Sequence, residues 1–373
     1  MNWDELPYGP WPGTLRLPPD PPDAETAARR RLPPNIRPVP GAEQVPVFDP
    51  ALQHYARALR PSEPRFADGS GPRWYAARRR AIDHVLAGVA GSPWAENLML
   101  RGSMLLRAWY GDAARDPGDL DFVLRPETWG VNEPRTDDLL RGVAAAAEAA
   151  SREDASGREP VLVDADGAVW SDIWTYDRVP GRRVVLPWSA ASPANAASPA
   201  NAASATSAGS TASAGSTASA ANAANAANAA SVVSGTVQLD FVFNERLPAE
   251  PELTDVPRLD GGAPARVLAA TPELSLAWKL LWLTSDAAPQ GKDLYDACLL
   301  ADRTSLPADL LHAVFELADE GYRDRPVTEE SIREVLEYVE WDEFRKDRPN
   351  VAATPERFVE HLVAALRPTL DAS

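Results

Sequence analysis

The sequence predicts a protein of the α+β class, in which a mixed sheet flanked by helices is followed by a C-terminal helical domain. Three observations predict this architecture. Short apolar runs interrupted by turns occupy residues 97–124, residues 236–243 alternate strictly between the two faces of a strand, and the pattern becomes helical from Thr271 onward.

Composition divides the 373 residues into four parts. The predicted parts are a Pro-rich N-terminal arm (1–72), a mixed α/β domain in two pieces (73–188 and 232–265), a low-complexity insert between the pieces (189–231), and the helical domain (266–373). The insert contains no charged and no aromatic residue, so we expect it to be flexible and to carry no chemistry.

The N-terminal arm contains 16 of the 36 prolines, which disfavours regular helix and central strand. We expect an extended or partly disordered segment with a short helix around Ala51 to Leu59. The alternative is that its aromatic residues, Trp3, Tyr8 and Trp11, dock on the core or on a partner.

The elements of the mixed α/β domain follow from periodicity and turn signals. A helix is predicted over residues 73–90 and an alanine-rich helix over 137–151, with strands at 160–163, 168–176, 183–186 and 236–243. After Thr271-Pro272-Glu273, a helix start with Pro at its first position, helices are predicted to about residue 284 and then over 292–301, 308–320, 328–338 and 355–366.

Net charge and cysteine content restrict the class of protein. The single cysteine, Cys298, excludes an internal disulfide framework, and no apolar run is long enough to span a membrane, so a cytoplasmic protein is expected. The formal charge of −17 argues against broad nucleic-acid binding, and no DNA partner is expected. It leaves room for a nucleic acid bound by a local basic patch.

Asp119 and Asp121 are the first candidate site residues. They open the apolar run Phe122-Val123-Leu124, and side chains two residues apart on a strand share a face. Earlier in the same stretch, Gly102 and Ser103 end an apolar run and begin a helix, whose free N–H groups suit a phosphate. A phosphate cradle beside two carboxylates that could bind a divalent metal indicates nucleotide chemistry.

Asp240 is the natural third carboxylate. It lies in the middle of the alternating strand TVQLDFVF, where a charged residue is unfavourable unless it is paired or binds a metal. The structural alternative, that Asp119 and Asp121 are turn and strand-edge residues that only cap local N–H groups, becomes weaker because Asp240 lies in a buried alternating strand.

These residues, taken together, resemble a known family. The run Leu100-Arg101-Gly102-Ser103 followed by Asp119-Leu120-Asp121-Phe122 is similar to the first motif of the AbiEii/AbiGii-type toxin nucleotidyltransferases, within the DNA polymerase β-like superfamily. Leu239-Asp240-Phe241 looks like that family's third-carboxylate strand. A helix containing Lys279, followed by Lys292-Asp293-Leu294-Tyr295-Asp296, looks like its C-terminal motifs.

The resemblance implies a metal-dependent transfer of a nucleoside monophosphate from an NTP to an acceptor, with tRNA as a candidate acceptor and an antitoxin as a candidate partner. Asp119, Asp121 and Asp240 would bind two Mg²⁺ (or Mn²⁺) ions. Lys279 would neutralise the leaving pyrophosphate, Gly102, Ser103, Arg115 and Lys292 would bind the nucleotide, and Asp293 and Asp296 would orient a lysine.

One departure keeps alternatives open. The family carries an arginine about two turns after the helix lysine, where this chain has Thr284-Ser285-Asp286. A catalytically degenerate member that only binds a nucleotide or partner is therefore one alternative. A nucleotidyltransferase for a cationic small molecule of the aminoglycoside type is another, which the negative charge favours. Arg115 could also pair with Asp116 or Asp119 instead of contacting substrate.

Overall fold

A computed structural model describes residues 2–34, 36–154, 159–175, 179–191, 232–318 and 327–372. Most of the predicted insert, from residue 192 to residue 231, lies outside the described residues. The same holds for the end of the helix predicted over residues 308–320.

In the described residues an eight-stranded mixed sheet forms the centre of the molecule. Its strands are β3 (Leu98–Arg101), β4 (Asp119–Leu124), β5 (Val161–Val163), β6 (Val169–Thr175), β7 (Val179–Ala191), β8 (Val232–Val242), β9 (Glu252–Val256) and β10 (Ala265–Ala269). Their order is β5-β7-β8-β4-β3-β10-β9, with β6 paired to the first half of β7. The β4–β8 and β3–β10 pairs are parallel and the other pairs are antiparallel.

The strand β8 explains how the sheet acquires one apolar and one polar face. Leu239 and Phe241 are buried, and Phe241 stacks on Phe122 of β4 with ring centroids 5.5 Å apart. The side chains at 238 and 240 point to the opposite face. Two long helices, α2 (Gly71–Gly91) and α4 (Pro134–Glu153), pack with the sheet. At their crossing a Cβ on Gly88 would lie 2.7 Å from the α4 backbone, so a small residue is required there.

The N-terminal residues are folded and not the extended or partly disordered arm that proline content suggested. They contain α1 (Ala24–Arg30) and a small sheet of β1 (Pro46–Phe48) and β2 (Leu59–Pro61). Trp3 and Trp11 are buried in a separate apolar cluster, so the alternative of docked aromatic residues applies to them, whereas Tyr8 stays exposed. The helix predicted near Ala51 is a single 3-10 turn, Pro50–Leu52, because Asp49 caps it and β2 follows.

The remaining α-helices of the described residues are α3 (Ser103–Tyr110) and, in the C-terminal part, α5 (Pro272–Ser285), α6 (Gly291–Ala301), α7 (Ala308–Glu316), α8 (Glu329–Glu334), α9 (Trp341–Asp347) and α10 (Pro355–Leu370). The strand β10 belongs to the central sheet, so the helical part begins at Pro272 and not at residue 266. No helix in the described residues is long and apolar enough to cross a membrane.

Candidate active site

Three aspartates lie on one face of the sheet because two parallel strands bring them together. In the β4–β8 register Asp121 stands opposite Asp240, and Asp119 stands opposite Gln238. Residues opposite each other on paired strands share a face, and so do residues two apart on one strand. All three carboxylates therefore border one cavity, which we call the carboxylate cavity.

Crowding of these carboxylates perturbs their ionisation. Burial, followed by the charges of Asp119 and Asp240, raises the pKa of Asp121 to about 7. Burial also acts to raise the pKa of Asp119, but Lys292, Arg115 and other cations outweigh it and hold that pKa below its ordinary value. Like charges brought together in a buried site favour binding of a cation.

Arg183 is a site residue that the sequence analysis missed. It stands opposite Asp240 in the β7–β8 register, and its Nε and Nη2 each donate to one Asp240 oxygen at 2.8 Å. Its Nη1 donates to Asp49 Oδ2 at 2.6 Å. Burial opposes the charge, but the two carboxylates keep the pKa of Arg183 well above its ordinary value. An arginine directly before the apolar run Val184-Val185-Leu186, on the same predicted strand, was the available signal, by the reasoning that had singled out Asp240.

Gly102 and Ser103, which the sequence analysis assigned to phosphate binding, stand at the start of α3 beside the aspartates. Gly102 precedes α3 with φ of +83°, and a Cβ there would collide with Asp121 Oδ2. Ser103 is the first residue of α3, is buried, and its Oγ lies 3.4 Å from Asp119 Oδ1. The helix start therefore borders the aspartate pair directly.

Arg101 fixes the strand that leads into this turn. It is opposite Asp121 in the β3–β4 register, and its Nη1 donates to both carboxylate oxygens of Glu245, at 2.9 and 2.7 Å. Its guanidinium also lies 5.3 Å from the ring centroids of both Trp278 and Trp282 on α5. These tryptophans thus connect the helical part to the sheet.

Lys279 belongs to a buried ion-pair network. Its Nζ lies 2.5 Å from Asp293 Oδ1 and 3.4 Å from Asp296 Oδ2, and all three side chains are buried. Arg115 completes the network through Nε and Nη2, both within 3.2 Å of the Asp296 carboxylate. Arg115 therefore pairs with Asp296, and not with Asp116 or Asp119 as the alternative had it.

Lys292 is the lysine that faces the carboxylates. It lines the carboxylate cavity together with Asp119, Asp121 and Asp240, whereas Lys279 is not among the lining residues. Among the described residues no carboxylate lies within ion-pair distance of Lys292, although its charge is the largest influence lowering the pKa of Asp119. Asp286, where an arginine was expected, also lines the cavity, as do Arg60 and Arg183.

Comparison with known proteins identifies the arrangement. Residues 84–368 match the family model "Nucleotidyl transferase AbiEii toxin, Type IV TA system". The chain belongs to the AbiEii nucleotidyltransferase toxin family. The expected resemblance, the α+β fold and the enzyme class are thereby confirmed, and an NTP substrate and a cognate antitoxin follow from membership.

The AbiEii family chain is also similar to a solved structure, MenT4, a nucleotidyltransferase toxin from Mycobacterium tuberculosis H37Rv. The match covers 79% of this chain and 84% of the other, at 16% identity and a TM-score of 0.44. No curated protein sequence matches the chain.

The donor set of the cavity fits a divalent cation in part. Asp119 and Asp121 offer carboxylate oxygens, the ligand type that Mg²⁺ prefers. Both oxygens of Asp240 accept from Arg183. In the described part of the chain, no group of three His, Cys, Asp or Glu side chains has the geometry to bind a metal. The side chains present thus fit an ion on the Asp119–Asp121 pair.

Proposed function

We propose that this chain transfers a nucleoside monophosphate from an NTP to an acceptor in a reaction that requires a divalent metal. The observation that carries the proposal is that Asp119 and Asp121 face the same cavity as Lys292 and adjoin the start of α3 at Ser103. Carboxylates for a metal, N–H groups for phosphates and a cation for the leaving group are the three requirements of this chemistry.

The phosphates of the NTP bind at the turn before α3. Backbone N–H groups at a helix start are directed outward and carry partial positive charge, and Ser103 adds a hydroxyl donor. Asp119 and Asp121 would hold a divalent ion, which would neutralise charge on the reacting phosphate. The glycine at 102 keeps the space between this turn and Asp121 open.

Lys292 stabilises the leaving pyrophosphate in this proposal, a role that the sequence analysis gave to Lys279. The change follows from contacts: Lys279 is already paired to Asp293 and Asp296, while Lys292 faces the cavity. Lys279, Asp293, Asp296 and Arg115 then act as a buried support that fixes α6 and thereby positions Lys292.

Asp240 helps to orient the acceptor hydroxyl. Arg183 holds its carboxylate in one position beside Asp121, and Gln238 Nε2 donates to its Oδ2 at 3.3 Å. A carboxylate fixed in this way can accept a hydrogen bond from an attacking hydroxyl in line with the α-phosphate.

We further propose that the acceptor is tRNA. A second cavity adjoins the carboxylate cavity, shares Asp119, Arg183 and Lys292 with it, and is lined by seven basic and three acidic side chains, so it offers positive charge next to the reacting centre of an otherwise acidic protein. Local positive charge of this kind suits a phosphate backbone.

The test uses purified full-length protein, each of the four labelled NTPs, Mg²⁺, and either total tRNA or a set of aminoglycosides. We expect label on tRNA, and loss of labelling in the Asp119→Ala and Asp240→Ala variants together with relief of any growth inhibition. Label on an aminoglycoside would show that the acceptor is a small molecule and not tRNA. Unchanged transfer in both variants would refute the mechanism, and nucleotide binding without pyrophosphate release would indicate a degenerate member.

A further inference from the structure

We propose that Arg183 is the resident cation of Asp240, so that the site takes one divalent ion, on Asp119 and Asp121, and not two. This inference rests on the proposed function, because it concerns the ion count of that same site. It departs from the expectation that all three aspartates bind metal.

The first argument is the occupancy of the Asp240 oxygens. Oδ1 accepts from Arg183 Nε at 2.8 Å, and Oδ2 accepts from Arg183 Nη2 at 2.8 Å and from Gln238 Nε2 at 3.3 Å. This is the bidentate fork geometry in which arginine binds a carboxylate most strongly. A metal ion on Asp240 would have to displace a guanidinium that is 3% exposed.

The second argument is that Arg183 is held from its other side as well. Its Nη1 donates to Asp49 Oδ2 at 2.6 Å, and Asp49 is itself buried. The segment around Asp49 is fixed to α9, since the backbone N–H of Phe48 donates to Glu343 Oε2 at 2.8 Å. Rotation of Arg183 away from Asp240 would therefore leave two buried carboxylates without this counter-charge and disturb the N-terminal segment.

The third argument is charge balance. The carboxylate cavity is lined by five aspartates and three basic side chains, which leaves a formal charge of −2. One divalent ion neutralises this charge, whereas two would leave the cavity positive before the nucleotide arrives. Arg183 thus supplies, within the chain, the charge that a second ion would otherwise bring to Asp240.

The experiment counts ions directly, without turnover. Full-length protein stripped with EDTA and then desalted is titrated with Mn²⁺, and free Mn²⁺ is followed by electron paramagnetic resonance. We expect one bound ion per chain in the wild type, none in Asp121→Asn, and one in Asp240→Asn. In Arg183→Gln we expect two, because Asp49 and Asp240 then face each other without a cation.

Arg182→Gln is the matched control. Arg182 precedes Arg183 on β7 and points to the opposite face, where it pairs with Asp172 and donates to Asn132. We expect one ion in this variant. If Arg183→Gln does not fold, the Asp240→Asn variant still tests the inference. If Asp240 binds metal, this variant would bind fewer Mn²⁺ ions or bind them more weakly.

Two ions in the wild type, loss of the ion in Asp240→Asn, or one ion in folded Arg183→Gln would each overturn the inference. Two bound ions with intact nucleotide transfer would overturn this inference but leave the proposed function standing. One ion with no pyrophosphate release from any NTP would instead refute the proposed function, so the two failures are distinguishable.

Discussion

At the scale of single residues, Gly102 combines two constraints, a positive φ and a carboxylate that occupies the place of a Cβ. We expect Gly102→Ala to abolish nucleotide transfer, because the methyl group displaces Asp121 and the backbone adds strain of about 1–3 kcal/mol. Gly111→Ala is the control at the other end of α3, since Gly111 also has a positive φ, of +56°, but open space around it. Equal loss of transfer in both variants would contradict the collision argument.

The two lysines of the site are expected to respond differently to truncation. Lys292→Ala should reduce the rate of transfer about 10²-fold, with little change in melting temperature, because it removes a cation that faces substrate. Lys279→Ala should lower the free energy of unfolding by about 3–5 kcal/mol, because it leaves Asp293 and Asp296 short of a buried counter-charge. Stopped-flow pyrophosphate release and urea denaturation separate these effects, and a stable Lys279→Ala protein would refute the network's structural role.

The sequence allowed the aspartates to be placed on shared faces because strand periodicity is local information. Asp119, Asp121 and Asp240 all lie where alternation predicts them, on the polar face of β4 and β8. The contacts of Arg183 and Lys279 depend on strand order and helix docking, which alternation does not encode. Lys279 was assigned to the phosphates although its partners are Asp293 and Asp296, because spacing along two helices does not show which lysine faces the cavity.

At the scale of elements, the predictions of helices and strands were confirmed where apolar periodicity was strong, as in α2 and β8. They failed where tertiary packing determines the local structure. The strand β9 was missed because Glu252–Val256 is a polar edge strand, and β10 because it follows the turn signals at Gly261-Gly262. The helix α9, Trp341–Asp347, was missed within an acidic stretch, although Trp341 and Phe344 bury its inner side.

The helix α2 also carries a titrating group in its buried face. His84 is 1% exposed, neither ring nitrogen has a hydrogen-bond partner among the residues that the structure describes, and burial lowers its pKa to about 4. The unfolded chain binds a proton near pH 6.5 and the folded chain does not, so stability falls as pH drops from 6.5 towards 4, by up to about 3 kcal/mol.

His84→Phe tests this linkage, because it replaces the ring with a group that does not titrate. Between pH 6.5 and 4, we expect the decrease in the free energy of unfolding to be about 3 kcal/mol smaller in the variant than in the wild type. Parallel urea curves for the two proteins at each pH measure the difference. An identical acid dependence would show that His84 is protonated in the folded chain.

At the scale of the whole molecule, the carboxylate cavity is enclosed by three parts of the chain that are far apart in sequence. The sheet supplies Asp119, Asp121 and Asp240, α6 supplies Lys292, and the N-terminal segment supplies Asp49. Because the N-terminal segment is tied to α9, we infer that the C-terminal helices stabilise the site from outside. Proline content indicated an extended or partly disordered arm, since composition does not reveal contacts with residues nearly three hundred positions away.

A single substitution at Asp347 removes its contacts with the N-terminal segment. Asp347 accepts from the backbone N–H of Glu63 at 2.8 Å and from Arg60 Nη2 at 2.5 Å. Asp347→Ala should lower the free energy of unfolding by about 2 kcal/mol, because the ion pair is partly exposed. It should also speed proteolysis within residues 46–63 and reduce transfer, since Asp49 would support Arg183 less firmly. Asp342→Ala, on the exposed side of α9, is the control and should leave all three measurements unchanged. If Asp347→Ala loosened the segment and left transfer intact, the N-terminal segment would be a structural cover with no influence on the carboxylates.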